Sequence, residues 1–202
     1  MADRPAPSPV AIEDAGRALV EGRAVVVPTD TVYGLAALPT VPGAVDRLFA
    51  LKGRPADMPI AVLVAGLEQV EALADLSGVP RRLAEAFWPG PVTMVLPRKE
   101  GVDLPLGAPQ ATIGVRWPDH PVIAALAEAV GPLATTSANR TGEPTPATAA
   151  EAAAALTGPV AVVLDGGECA GTASTVVDLT GADLRVLREG AITETALRAA
   201  LD

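Results

Sequence analysis

Apolar and polar positions alternate along the chain in blocks that predict short strands separated by helices. The apolar run Ala24-Val25-Val26-Val27 predicts a buried strand over residues 24–28. It breaks into Pro28-Thr29-Asp30-Thr31-Val32-Tyr33-Gly34-Leu35, where hydroxyls, a carboxylate and a glycine cluster. In open α/β sheets, ligands collect beyond the carboxyl ends of strands, so this segment is a candidate ligand site. Residues 10–21 read as a helix closed by Gly22. The spacing of Val45, Leu48, Phe49 and Leu51 predicts a helix over 42–52, and Pro55 requires it to have stopped, which puts Lys52 and Arg54 at a helix exit. Residues 59–64 are strand-like, and 67–76 and 80–87 are helical. The turn Trp88-Pro89-Gly90-Pro91 leads into a strand over 92–96. A loop over 101–109 precedes a strand over 111–117, and Asp119 is placed to cap a helix running to residue 130. A second polar strand end follows at 133–136. Thr148-Ala149-Ala150-Glu151 has the form of a capping box and opens an alanine-rich helix that ends at Gly158. Strands over 160–164, 174–179 and 184–187 precede a last helix from Thr193. Without a low-complexity linker or fixed-period repeat, this alternation implies one continuous α/β domain over 10–202, with a large mixed sheet, after a flexible Pro-rich start at 1–9.

Composition narrows the function classes. Half of the 202 residues are hydrophobic, but the aromatics are only two Trp, one Tyr and two Phe, so the core must be aliphatic. Ligand recognition cannot then depend mainly on aromatic stacking. No apolar run approaches the roughly 18 residues of a membrane helix, and MADRPAPSP at the start lacks the basic and apolar regions of a signal peptide. A cytoplasmic protein with no membrane partner is expected. The single cysteine, Cys169, excludes an internal disulfide and a multi-cysteine metal cluster, and reads as a spare thiol. A net charge of −9 argues against a broad nucleic-acid surface while leaving room for a local basic cavity.

The remaining polar clusters supply cations and hydroxyls with few carboxylates: Lys52-Gly53-Arg54, Arg116, Thr135-Thr136-Ser137-Ala138-Asn139, Ser174-Thr175 and Arg188. Arginine clamps phosphate or carboxylate bidentately, and lysine adds a point charge. Hydroxyls and amides orient ribose, base or amino-acid groups. The set therefore suits an anionic ligand. No nucleophile–base pair stands out, and His120, the only histidine, lies at a helix start where a structural hydrogen bond is expected. Asp165-Gly166-Gly167 reads as a turn and lacks the Lys-Ser/Thr of a P-loop.

In order along the chain, these segments closely resemble the YrdC-like threonylcarbamoyl-adenylate synthase family in its single-domain form. The resemblance rests on the segment from Pro28 to Leu35, Lys52-Gly53-Arg54-Pro55, Trp88-Pro89-Gly90-Pro91-Val92-Thr93 and Val115-Arg116-Trp117-Pro118-Asp119-His120-Pro121. It continues through Thr136-Ser137-Ala138-Asn139, Ser174-Thr175-Val176-Val177-Asp178 and Leu187-Arg188-Glu189-Gly190. It implies an α/β YrdC-like fold, a twisted, mostly mixed sheet with surrounding helices and a concave basic cavity. The implied reaction joins L-threonine, bicarbonate and ATP into threonylcarbamoyl-AMP with release of pyrophosphate. Mg²⁺ is expected with the ATP, and no metal site on the protein. The product is expected to supply a tRNA threonylcarbamoyl transferase, with direct tRNA binding left open. Carried over by motif, Thr31, Arg116, Thr135 and Ser174 would contact L-threonine. Lys52, Arg54, Thr112, Ser137, Asn139, Thr145 and Arg188 would hold ATP, with Lys52 and Arg54 as the catalytic cations.

The chain departs from some family members at Met58 and Leu63, where asparagine and histidine occur near ligands, and at Thr141, where serine is commoner. Altered pocket packing is the expected consequence. Two other readings share the fold: a paralogue acting as an RNA-binding or ribosome-associated module, which the acidic composition disfavours, and a carbamoyl-transfer enzyme, which requires additional domains.

Overall fold

A mixed sheet organises the computed structural model, which describes residues 6–108, 111–169 and 171–202. In chain order the elements begin with α1 (Pro9–Val20), β1 (Val25–Val27), β2 (Gly34–Ala37), α2 (Ala44–Lys52) and β3 (Ala61–Leu63). They continue with α3 (Leu67–Leu73), α4 (Val79–Phe87), β4 (Val92–Pro97), β5 (Thr112–Arg116), α5 (Pro121–Val130) and β6 (Leu133–Ser137). The last are α6 (Ala149–Ala154), β7 (Val162–Val163), β8 (Thr175–Asp178), β9 (Arg185–Arg188) and α7 (Glu194–Ala199). Among the described residues nine strands form the sheet, in the order β7-β1-β2-β6-β3-β5-β4-β8-β9. The pairs β1/β7, β3/β5 and β4/β8 are parallel, and the rest are antiparallel.

Successive side chains of a strand point to opposite faces, and the burial pattern follows that period of two. One face is packed along its length: Val26, Leu35, Val62, Met94, Leu96, Ile113, Val115, Ala134 and Val177 share a core with residues of α2, α3, α4, α6 and α7. The other face is only half covered. There α1 and α5 pack Leu19, Ile123 and Leu126 against Val25, Val27, Ala36 and Leu133. Beyond β3 the same face is open to a cavity, into which β5 presents Thr112, Gly114 and Arg116, and β4 presents Thr93 and Val95. The uncovered half of one sheet face therefore makes the cavity.

Several local expectations reappear in the structure. Thr148 and Glu151 form a reciprocal capping box, α2 ends at Lys52 with Gly53 left-handed at φ 60°, and α7 is capped by Thr193. Others are corrected. The cap of α5 is His120, not Asp119: its ring accepts from the Val122 backbone N–H at 3.3 Å, because Pro121 takes the first helical position. α6 stops at Ala154, short of Gly158. Strand β2 was not expected: after the polar loop the chain turns back, pairing Val25 with Ala36 and Val27 with Gly34. Gly34 is needed there, since a Cβ would stand 2.8 Å from Thr135 Cγ2 of the neighbouring strand. Within the expected start at 1–9, residues 1–5 lie outside the described residues, as does Pro109 of the expected loop.

Candidate functional site: a cationic cavity on the open sheet face

The cavity has a volume of about 580 Å³. Of the eleven residues singled out from sequence, nine line it: Thr31, Arg54, Thr112, Arg116, Thr135, Ser137, Thr145, Ser174 and Arg188. They come from segments far apart in the chain, brought together because β3, β5, β4 and β8 are neighbours in the sheet. Lys52 and Asn139 stand behind the wall.

Arg116 anchors one end. It is 5% exposed. Its Nε donates to Gly90 O at 3.0 Å, Nη1 to Thr31 Oγ1 at 2.8 Å, and Nη2 to Asp30 Oδ1 at 2.5 Å. The Trp88-Pro89-Gly90-Pro91 turn is thus a fixture for the guanidinium, and Asp30 is its counter-charge. Burial lowers the Arg116 pKa, Asp30 opposes that, and Arg188 adds to it. The loop that presents Thr31 is itself pinned. Thr29 Oγ1 accepts from the backbone N–H groups of Thr31 and Val32 and donates to Val32 O, while Gly171 N donates to Thr31 O.

Arg188, on β9, also lines the cavity, donating from Nε and Nη2 to Ser174 O at 3.2 and 2.9 Å, and its pKa is lowered by burial. Arg54 donates to Met58 O and Pro59 O, shaping its own loop against residues 101–108, and its pKa falls through burial and through Arg188. Gly107 allows that loop contact at φ +87°, where a Cβ would lie 3.1 Å from Met58 O.

Lys52 is 3% exposed. Its ammonium donates to Ser137 O, Asn139 O and Asn139 Oδ1 at 2.7, 2.7 and 2.8 Å, and Asn139 in turn donates to Arg140 O and Glu143 O. Its three protons are committed to the segment that follows β6, so it acts on the cavity through Ser137 and through its charge. Burial, aided by Arg54, pushes its pKa from 10.5 down to about 8. Lys52, Arg54, Arg188 and Arg116 therefore form a chain of cations, each sensing the next. In a protein of net charge −9, this concentration marks an anion site.

Of the departures, Leu63 lines the cavity as the register partner of Arg116, giving an apolar wall beside the guanidinium, whereas Met58 is 41% exposed and is not among the lining residues. Thr141 donates from its backbone N–H to Lys52 O. Thr29, Thr93, Arg98, Asp178 and Thr180 also line the cavity and were not singled out from sequence. Alternation from Val92 along β4 could have found Thr93, but the role of Arg98, which donates to Leu104 O and Thr112 O, depends on the loop fold. Cys169 is buried and donates to Thr29 O. Among the described residues, no three His, Cys, Asp or Glu side chains gather as metal ligands, and no helix is long and apolar enough to cross a membrane.

A half-open mixed sheet with a cationic, hydroxyl-lined cavity defines an anion-binding α/β protein. More specifically, the chain belongs to the Sua5/YciO/YrdC family, whose model, described as telomere recombination, matches residues 17–190. A putative threonylcarbamoyl-AMP synthase of Mycobacterium tuberculosis is 43% identical over 177 residues, covering 87% of this chain and 82% of the relative. The structure of Pyrococcus abyssi Sua5 complexed with L-threonine superposes with TM-score 0.88 at 39% identity, over 94% of this chain and 57% of that one. Escherichia coli YciO has TM-score 0.87 at 27% identity, with 96% of both chains covered. The chain thus spans little more than half of the Pyrococcus protein.

Proposed function

We propose that the protein is an L-threonylcarbamoyl-AMP synthase. The observation that carries this reading is that Arg54, Arg188 and Arg116 line one cavity that also presents hydroxyls, with Lys52 behind its wall, in a family whose relatives bear that activity in their names. The amine of threonine and bicarbonate condense to a carbamate with loss of water. A carbamate oxygen then attacks the α-phosphorus of ATP, the bond from that phosphorus to the bridging oxygen breaks, and pyrophosphate leaves. Such a displacement needs positioning and charge compensation rather than a covalent enzyme intermediate.

Arg116 is suited to the threonine carboxylate, with Thr31, Thr135 and Ser174 around the side chain. Arg54 and Arg188 are suited to the phosphates, with Thr112, Ser137 and Thr145 as hydroxyl partners, and Lys52, itself held by Asn139, holds Ser137 from behind. The donor set is cationic and hydroxylic, which fits Mg²⁺ arriving on the triphosphate and supplying charge neutralisation there. The product, a mixed anhydride, is fit to acylate an amine through a tRNA threonylcarbamoyl transferase. Purified protein with Mg²⁺ should form pyrophosphate and threonylcarbamoyl-AMP, detected by mass, only when ATP, L-threonine and bicarbonate are all present. Formation without bicarbonate, or no product from folded protein, refutes the proposal.

A further inference from the structure

The hydroxyls of the cavity differ in what they have left to offer a ligand. Each carries one proton and two lone pairs. Thr135 Oγ1 gives its proton to Leu133 O at 3.1 Å. Thr29 Oγ1 makes its shortest contact, 2.7 Å, with Val32 O, a carbonyl that can only accept, so its proton lies there. Thr31 Oγ1 accepts from Arg116 at 2.8 Å and lies 3.0 Å from Thr29 Oγ1, whose two lone pairs already take the backbone N–H groups of Thr31 and Val32. Thr135 therefore faces the cavity as an acceptor only, and Thr31 keeps a lone pair beside Arg116.

Thr93 and Ser174 are different. Both are buried, both line the cavity, and their hydroxyls are 2.9 Å apart. The other side chain reaching Ser174 Oγ is Arg188, a donor at 3.3 Å. One of the pair's two protons lies between them, and the other has no acceptor among the described residues. Thr93 also sits one residue from the Met94–Val115 pairing, which sets it on the strand beside Arg116, one strand spacing of about 4.8 Å away.

We propose that Thr93 and Ser174 act together as one hydroxyl donor that reads the side-chain hydroxyl of the amino-acid substrate, making Thr93 a specificity-determining residue. This rests on the synthase reading above. With its carboxylate on Arg116, the amino acid places its Cβ substituent near the adjacent strand. A substrate hydroxyl needs a donor for its lone pair and an acceptor for its proton. The cavity supplies the donor at Thr93/Ser174 and acceptors at Thr31 and Thr135. Valine matches threonine in shape but leaves these buried groups unpaired, whereas serine satisfies them and loses a methyl contact.

The test compares kcat/KM for threonine, serine and valine in the wild type, Thr93→Val and Thr93→Ser. The wild type should prefer threonine to valine by about a hundredfold or more, and serine should be the better of the two analogues. Thr93→Val should lower the threonine-to-valine ratio by about tenfold or more, while Thr93→Ser, which keeps the hydroxyl, should stay within about threefold of wild type. An unchanged ratio in Thr93→Val overturns the proposal, and so does an equal loss in Thr93→Ser. The same ratio read as calorimetric binding of threonine and valine without ATP tests Thr93 even if no adenylate forms, an outcome that would count against the synthase reading alone.

Discussion

Nucleotide affinity should fall as pH rises through the pKa of Lys52. Three hydrogen bonds of 2.7, 2.7 and 2.8 Å favour the ammonium, yet burial and Arg54 outweigh them and bring its pKa from 10.5 to about 8. At about 1.4 kcal/mol per pH unit, that displacement disfavours the charged form by about 3 kcal/mol. A polyphosphate in the cavity favours the charge and raises the pKa again. Between pH 8 and 10.5 the complex then holds more protons than the free protein, so affinity declines with pH over that window and is level below it. If the phosphates return half of the 3 kcal/mol, binding at pH 10 is about tenfold weaker than at pH 7, and full return gives about a hundredfold. The nucleotide adds little slope, because a phosphate monoester has its second pKa near 6 and is almost fully ionised by pH 8. The assay is calorimetric titration with a non-hydrolysable ATP analogue at pH 7, 8, 9 and 10 and constant ionic strength, on wild type and Lys52→Arg. Arginine keeps its charge throughout, so the variant should show a flat profile whatever its affinity at pH 7. A flat wild-type profile, or equal slopes in both proteins, refutes the reasoning.

Arg54→Ala should lower turnover by on the order of a hundredfold, because it removes a partly desolvated charge from the phosphate side. Its half-exposed hydrogen bonds to Met58 O and Pro59 O should leave unfolding stability within about 1 kcal/mol, so near-normal kcat/KM in a folded variant would make Arg54 a solvated cation. Tyr33→Phe should cost about 1–3 kcal/mol in urea unfolding, because the buried hydroxyl donates to Gly167 O at 2.6 Å and accepts from Gly166 N at 3.1 Å, leaving both unpaired on removal. No measurable change would mean that water or a rearranged 165–167 turn replaces those bonds.

Features governed by neighbours in sequence were legible in the chain itself. The capping box at Thr148, the helix exit at Lys52-Gly53 and the structural place of His120 are interactions within a few residues, and their residue types carry their reasons with them. The ordered cation and hydroxyl motifs likewise marked an anion site and a family, since the chemistry of the groups is visible without coordinates. What the tertiary structure decided was where those groups point and what already occupies them. Pairing of β2 with β1 and β6 depends on partners remote in sequence, so Leu35-Ala36-Ala37 alone did not announce a strand. Lys52 read as a ligand cation, but its ammonium is turned to Ser137 and Asn139 across 85 and 87 residues of chain. Thr93 read only as a strand residue at the end of a family motif, yet its hydroxyl faces Ser174 because parallel pairing of β4 and β8 sets the two segments side by side. Local propensity and residue chemistry act over a turn of chain, whereas burial, proton direction and charge coupling depend on which distant strands become neighbours.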